Sequence, residues 1–316
     1  MLTLKQMRYF DALATTLHFG RAAELAHVSQ PALSAQIGEL ERHLGLKLVE
    51  RGRGATILTR DGERLLPRIR AILAEVGLLE ANTAGRGVME GLMRLGIIPT
   101  VAPYLVPSLV PRLRGRHRGI EIELKESITA NLVDDLKIGR LDAIVAAMPL
   151  DDDGLVVEAL FEDRFLIAGS EDADCILVSP MAQEEVDATR LLLLEEGHCL
   201  RDQALAVCSA ADGRRLVNYG ATSMATLLQM VGHGMGLTLV PEIALAAEAG
   251  RHSMRFVRFA TPEPLRTVCL AWRRGSARKA DFEQLGQTIT ECARAIIEEG
   301  CARLNDRAGG SPAKST

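Results

Sequence analysis

Apolar positions in the first 60 residues recur at helical spacing. Met7, Phe10, Leu13, Ala14 and Leu17 share one face, which predicts a helix over residues 4–17. A second helix is expected over about residues 20–26. Leu33, Ile37, Leu40 and Leu44 then mark a third, with Ser29 placed to cap it and Pro31 in its first turn. Two helices, a tight turn and a capped, polar-faced helix make a helix-turn-helix pattern. Residues 51–58 read as a small β wing with basic residues at its base.

A long helix is expected from about residue 59 to residue 84. Leu65, Ile69, Ile72, Val76 and Leu79 alternate spacings of four and three along it, an a/d seam. No neighbouring apolar segment is evident, so the seam is read as a dimerisation face rather than as cover for its own domain. Pro67 predicts a kink or a later start, because an interior proline costs about 3 kcal/mol. Gly85, Gly87 and Gly91 suggest a hinge. Beyond it, strand-like runs at 92–98, 120–126, 143–147, 165–168, 191–194, 237–240 and 268–272 alternate with helix-like ones. Such alternation predicts an α/β sheet domain. The tail from Asn305, with its Gly-Gly-Ser-Pro stretch, is expected to be disordered.

Composition changes this picture little. The chain has 316 residues, 47% hydrophobic and 25% charged, which suits two or three ordinary globular domains. The net charge of −4 does not itself point to nucleic acid. Its distribution does: residues 1–70 hold about 11 Lys/Arg against about 7 Asp/Glu. No apolar run approaches the roughly 20 residues that span a membrane. The amino terminus lacks the apolar core of a signal peptide, so a cytoplasmic protein is expected.

The candidate chemistry lies in Gly197-His198-Cys199-Leu200-Arg201-Asp202-Gln203 and the later Cys208. A thiol beside positive charge ionises more easily, and the thiolate is the reactive form. Cys199 follows the apolar run 191–194, which places it past a strand's carboxyl end, where open α/β sheets bind ligands. If residues 199–208 are helical, nine residues separate the two sulfurs by roughly 13–14 Å along the axis. A disulfide needs Cα atoms within about 7 Å, so such a bond would require unwinding. On the residues alone, a redox pair and a buried structural thiol both stand. Cys292 and Cys301 share the nine-residue spacing without the His/Arg setting and read as structural or incidental. Cys175 and Cys269 read as core or lobe-surface thiols. His198 with two cysteines lacks any CxxC or spaced histidine set, so neither a metal nor a cofactor is expected. Gly232-His233-Gly234-Met235-Gly236 is no phosphate loop, and no nucleophile elbow of the G-x-S-x-G type occurs.

These residues carry a family resemblance. Phe19-Gly20-Arg21-Ala22-Ala23-Glu24-Leu25 through Ser29-Gln30-Pro31-Ala32-Leu33-Ser34 resembles the LysR-type transcriptional regulators. Leu48-Val49-Glu50-Arg51 and Leu58-Thr59-Arg60-Asp61-Gly62 fit the same pattern. The cysteine motif resembles the peroxide-sensing subfamily. So do Ile98-Pro99-Thr100-Val101-Ala102-Pro103-Tyr104-Leu105 and Pro262-Glu263-Pro264-Leu265-Arg266-Thr267.

The resemblance implies an α/β protein with a winged helix-turn-helix over 1–60 and a linker helix over 61–87. A two-lobed effector domain, like the periplasmic binding proteins, would follow over 88–305, with a disordered tail at 306–316. One lobe would combine about 88–163 with 265–305, the other would be 164–264. Double-stranded DNA with an inverted repeat is the implied partner. Gln30, Ser34 and Gln36 are the candidates for base edges, with Pro31 or Ala32 on a thymine methyl, while Ser29, Arg51 and Arg53 suit phosphate. A dimer of dimers, RNA polymerase as partner, and thioredoxin or glutaredoxin as reductant are implied by family only. Hydrogen peroxide would oxidise Cys199 to a sulfenic acid, which Cys208 resolves. Arg201 and the helix amino terminus would favour the thiolate, His198 only when protonated, with Arg266 adding to this. Thr100 and Thr129 would hold the peroxide.

The leading expectation is therefore a peroxide-responsive activator and not an enzyme. One alternative is a regulator gated by a small metabolite, its cysteines incidental. Another is a thiol peroxidase or oxidoreductase, which leaves the basic helix and the linker seam unexplained.

Overall fold

Thr3 starts the first helix with a capping box. Its hydroxyl accepts from the Gln6 N–H at 3.2 Å, and Gln6 Oε1 accepts from the Thr3 N–H at 3.1 Å. The structure, a computed structural model, describes residues 2–51, 56–82, 87–171, 179–207, 217–249 and 254–309. The chain forms two compact units, residues 1–86 with 137–140, and residues 87–136 with 141–316.

The first unit begins with α1 (Leu4–Thr16), α2 (Phe19–Leu25) and α3 (Gln30–Leu44). His18 Nδ1 caps α2 by accepting from the Gly20 and Arg21 N–H groups. α3 ends at Gly45, whose φ of 69° suits a residue without Cβ. Ser29 holds the cap position of α3, but its hydroxyl makes no capping bond, contrary to expectation. Pro31, the second helical residue, removes one of the two N–H groups that such a cap serves, and the Ala32 N–H is the other. β1 (Val49–Arg51) and β2 (Thr56–Leu58) pair antiparallel as a short hairpin. Phe10, Leu13, Leu33, Ile37, Leu40 and Leu48 fill the core between these elements.

α4 (Arg60–Asn82) runs unbroken through Pro67, its eighth residue. The a/d seam divides along this helix. Ile69 is buried in the first unit's core, and Leu65, Leu66 and Leu73 pack against it. This corrects the expectation that the seam lacks a neighbour: α1 supplies one, and Arg70 Nε ties α4 to Asp11 Oδ1 at 2.6 Å. Ile72 remains 42% exposed, Val76 is partly buried and Leu79 lies further along α4.

The second unit opens with β3 (Gly91–Ile97), α5 (Ala102–Arg116), β4 (Ile120–Glu126), α6 (Thr129–Lys137), β5 (Ala143–Ala147) and β6 (Leu155–Ser170). It continues with β7 (Leu192–Leu194), α7 (Cys199–Val207), β8 (Val217–Ala221), α8 (Met224–Gly232), β9 (Thr238–Pro241), α9 (Leu245–Glu248) and β10 (Met254–Arg258). β11 (Leu265–Arg273) and α10 (Lys279–Gly309) complete it. Among the described residues, seven strands form one mixed sheet in the order β10-β6-β11-β5-β3-β4, with β9 also on β6. β3 is parallel to β4 and β5, and β11 is antiparallel to β5 and β6. β7 and β8 form a separate parallel pair.

Two apolar cores flank the long strand β6. Its first part pairs with β11 beside a core holding Leu95, Leu105, Ile144, Leu270 and Phe282. Its later residues pair with β9 and β10 beside a core holding Phe165, Leu194, Leu228, Leu239 and Val257. The early part of β6, β8 and β10 were not expected as strands. Residues 155–164 mix Leu, Glu and Ala without a clean alternation, and their strand state follows from pairing with β11. The expected disorder is corrected for residues 305–309, while residues 310–316 lie outside the described residues. α10 continues to Gly309, because no glycine or proline interrupts the chain from residue 301 to residue 308.

Candidate functional site

Three predicted site positions follow strand ends. Thr100 lies just beyond β3, Thr129 opens α6 after β4, and His198 with Cys199 leads into α7 after β7. Arg266 enters from β11, directly opposite Asp163 in the β6–β11 register. Arg266 and Asp163 have fully buried side chains. Arg266 Nε and Nη2 both donate to Asp163 Oδ2, at 3.0 and 2.9 Å. Arg266 Nη1 donates to Thr100 Oγ1 at 2.7 Å, and Nη2 to the Thr100 carbonyl at 3.3 Å.

Cys199 is the first residue of α7 and packs against the first core. Burial pushes its thiol above the ordinary value. The Arg266 charge opposes this most strongly, followed by the Leu200 N–H, the Thr129 hydroxyl and the cysteine's own N–H. Thr129 Oγ1 is buried and interacts with the Cys199 thiol. The pocket thus unites Cys199, Thr129, Arg266 and Thr100.

The two flanking charges act differently from the expectation. His198 is buried, and burial lowers its pKa against the pull of Glu195 and Glu126, so the ring is neutral near pH 7. Arg201 Nη1 donates to the Leu194 carbonyl at 3.0 Å, which ties α7 to the end of β7. The guanidinium that acts on Cys199 is Arg266, 67 positions away in sequence, and no local motif reveals that.

Sequence reasoning missed two residues. Asp163 gave no signal in a stretch read without a strand. Gln203 lies in the motif itself, one helical turn after Cys199 and on the same face of α7. Its Oε1 is buried without a hydrogen-bond partner. The signal was the i, i+4 spacing.

Cys208 and Cys175 lie outside the described residues. Cys269 is fully buried on β11, with a thiol raised to about 11 by burial. Cys292 sits in the first core, and Cys301 lies between Arg258 and Glu242. Among the described residues, no cluster of His, Cys, Asp and Glu suits a metal ion. No helix there is long and apolar enough to cross a membrane.

In the first unit, Ser29, Gln30 and Pro31 are exposed at the start of α3, with Ser34 and Gln36 half-exposed behind them. Gln36 Nε2 donates to Glu39 Oε2 at 3.1 Å, which holds its amide along the helix. The Arg51 backbone belongs to β1, and Arg53 lies outside the described residues.

Comparison with known proteins decides the family. The model "Bacterial regulatory helix-turn-helix protein, lysR family" matches residues 4–63, and "LysR substrate binding domain" matches residues 86–293. The chain belongs to the LysR family of transcriptional regulators. Within the LysR family it falls among the OxyR proteins. It is 39% identical over 295 residues to a probable hydrogen peroxide-inducible genes activator of Streptomyces viridosporus, covering 92% of this chain and 95% of the other. Its structure is similar to a full-length Pseudomonas aeruginosa OxyR carrying a cysteine-to-aspartate change, with TM-score 0.78 and 33% identity over 92% and 99% of the two chains. A peroxide-bound cysteine mutant of Corynebacterium glutamicum OxyR matches with TM-score 0.64 and 29% identity over 98% and 99%. In LysR terms, the first unit carries the DNA-binding helix-turn-helix and the second carries the effector fold around Cys199.

Proposed function

We propose that this OxyR-type regulator senses hydrogen peroxide at Cys199 and resolves the product with Cys208. The Cys199 sulfur attacks one peroxide oxygen, an S–O bond forms and the O–O bond breaks. The departing hydroxide takes a proton and leaves as water, so a thiol and peroxide give a sulfenic acid and water. The Cys208 sulfur then attacks the Cys199 sulfur and expels a second water, giving a disulfide.

The observation that carries this reading is the buried thiol beside unused hydrogen-bonding groups. Arg266 donates to the Thr100 hydroxyl oxygen, so the Thr100 proton is directed elsewhere. Gln203 Oε1 is buried and unpaired, and Thr129 Oγ1 is buried with the Cys199 thiol as its neighbour. Unpaired buried groups cost stability, and a small donor–acceptor molecule such as peroxide satisfies them. Thr100 supplies a proton toward the leaving oxygen, and Thr129 and Gln203 orient the substrate. His198 acts as a neutral, space-filling donor or acceptor rather than as a cation.

The signal follows from chain geometry. The eight residue steps of α7 from Cys199 to Val207 span about 12 Å, and one further Cα step shortens this by at most about 3.8 Å. The two cysteine Cα atoms therefore stay about 8 Å or more apart while α7 is intact, beyond the roughly 7 Å limit of a disulfide. The bond forms only when α7 unwinds, which makes the oxidised effector domain a different fold of the same segment.

Ser29, Gln30, Pro31, Ser34, Gln36, Arg51 and Arg53 would meet an inverted-repeat DNA site as assigned above. Ile72, Val76 and Leu79 would join two copies, Leu65 and Ile69 having their place in the first unit's core. A dimer of dimers, recruitment of RNA polymerase, reduction by thioredoxin or glutaredoxin, a cytoplasmic location and regulation without sustained turnover complete the proposal. Footprinting of the parent and Cys199→Ser proteins with and without peroxide tests it. The parent footprint should change on oxidation, and the variant should bind DNA but keep one footprint. A Cys199→Ser protein that still responds fully overturns the assignment.

A further inference from the structure

Arg266 is the cation that acts on Cys199, yet half of its hydrogen bonds go to Asp163, a residue with no part of its own in the peroxide chemistry. Four of its hydrogen bonds are accounted for: two go to Asp163 Oδ2 and two to Thr100. A guanidinium carries five N–H groups, so one on Nη1 remains available. Both nitrogens on the Asp163 side converge on a single carboxylate oxygen. The other oxygen, Oδ1, accepts from the Ile243 N–H at 3.0 Å. Asp163 is thus fixed from two sides, by its strand and by the turn after β9. The ring of Phe165 lies 5.8 Å from the guanidinium carbon and limits its movement. Asp163 and Arg266 are also a directly opposed cross-strand pair, so backbone register sets their spacing.

We propose that Asp163 is a positioning residue for the reaction at Cys199, acting through Arg266. The carboxylate holds the guanidinium so that its Nη1 edge serves Thr100 and the thiol pocket. It also tempers the positive charge that the sulfur experiences. The proposal rests on the reading of Cys199 as the peroxide-reactive thiol. Two further sets of ionisable groups act nearby: Glu242, in the turn after β9, acts on Asp163 itself, and His198 interacts with Glu195 and Glu126.

The test uses the full-length protein and the variants Asp163→Asn, Asp163→Glu and Arg266→Gln, singly and combined. Two quantities are read: the rate of Cys199 oxidation by hydrogen peroxide, and the pH midpoint of Cys199 alkylation followed by peptide mass. Asp163→Asn removes negative charge, so the alkylation midpoint should fall. Its oxidation rate should nevertheless drop about 10-fold to 100-fold, because Arg266 and Thr100 lose their alignment. Asp163→Glu keeps the charge and should return the midpoint while the rate stays reduced. In the Arg266→Gln background, Asp163→Asn should change the rate by less than about twofold, since the two act as a unit.

A purely structural Asp163 would lower the melting temperature and leave rate and midpoint within about twofold and a few tenths of a unit of the parent. That outcome overturns the proposal, as does a full additional rate loss in the Arg266→Gln background. If Asp163→Asn fails to fold, Asp163→Glu in both backgrounds decides the same question through the rate. A parent protein whose Cys199 resists peroxide instead refutes the reading of the thiol, and the positioning proposal falls with it.

Discussion

Arg266 Nη1 donates a 2.7 Å hydrogen bond to Thr100 Oγ1, and this one contact fixes the direction of the threonine proton. The hydroxyl accepts from Arg266, so its own hydrogen points to another acceptor. Thr100→Val removes that donor and strands a buried guanidinium N–H. Oxidation of Cys199 should slow by about 100-fold. Stability should fall by about 1–3 kcal/mol, the cost of an unsatisfied buried donor. Thr100→Ser restores both, and denaturant melts with single-turnover oxidation check the pair.

Thr129→Val and Gln203→Leu should separate function from stability. Gln203→Leu removes a buried oxygen without a hydrogen-bond partner, and Thr129→Val removes one whose neighbour is the Cys199 thiol. Apolar replacements of similar shape are then neutral or stabilising, by up to about 1 kcal/mol. Oxidation by peroxide should slow in both. A clear loss of stability with unchanged oxidation contradicts the substrate-orienting role.

His198 makes the fold acid-sensitive. Burial lowers its pKa in the folded state, so the unfolded chain binds the proton first. Its contribution to stability is complete above the unfolded value of about 6.5 and is lost as pH falls through the lower folded value. Thermal melts from neutral pH downward should show a declining melting temperature, and His198→Gln should flatten that decline. An unchanged slope in the variant contradicts the account.

The linker helix yields a contrast between neighbouring seam positions. Ile69→Asp places a charge in the first unit's core and should unfold that unit. Ile72→Asp alters an exposed position and should leave the unit folded while weakening self-association. Light scattering with circular dichroism distinguishes the two. An Ile72→Asp protein with the parent's mass at all concentrations contradicts its place in an interface.

Local signals in the chain were sufficient for some elements and silent on others. The 3.6-residue pattern of Phe10, Leu13, Leu33 and Ile37 reports a face that needs only its own helix to be recognised. The alternation of β4 and the apolar run of β5 are similarly self-evident. Residues 155–164 are a strand only because β11 lies alongside, which no local pattern encodes. The site divides in the same way. Cys199, His198 and Gln203 share one helix start, so spacing relates them. Arg266, Asp163 and Thr100 meet through strand register, which resemblance suggested for Arg266 and Thr100 and nothing suggested for Asp163. The charged neighbours in sequence, His198 and Arg201, were over-weighted because proximity in the chain stood in for proximity to sulfur. Burial leaves His198 uncharged and Arg201 turns to a backbone carbonyl.

The central claim is that peroxide drives a bond which intact α7 forbids. Peptide mapping of the reduced, full-length protein after one equivalent of hydrogen peroxide tests it directly. The account predicts a loss of two hydrogens assigned to a Cys199–Cys208 link, together with faster amide hydrogen exchange across α7. Unmodified Cys199 and Cys208 thiols, or a link formed with the exchange of α7 unchanged, would contradict it.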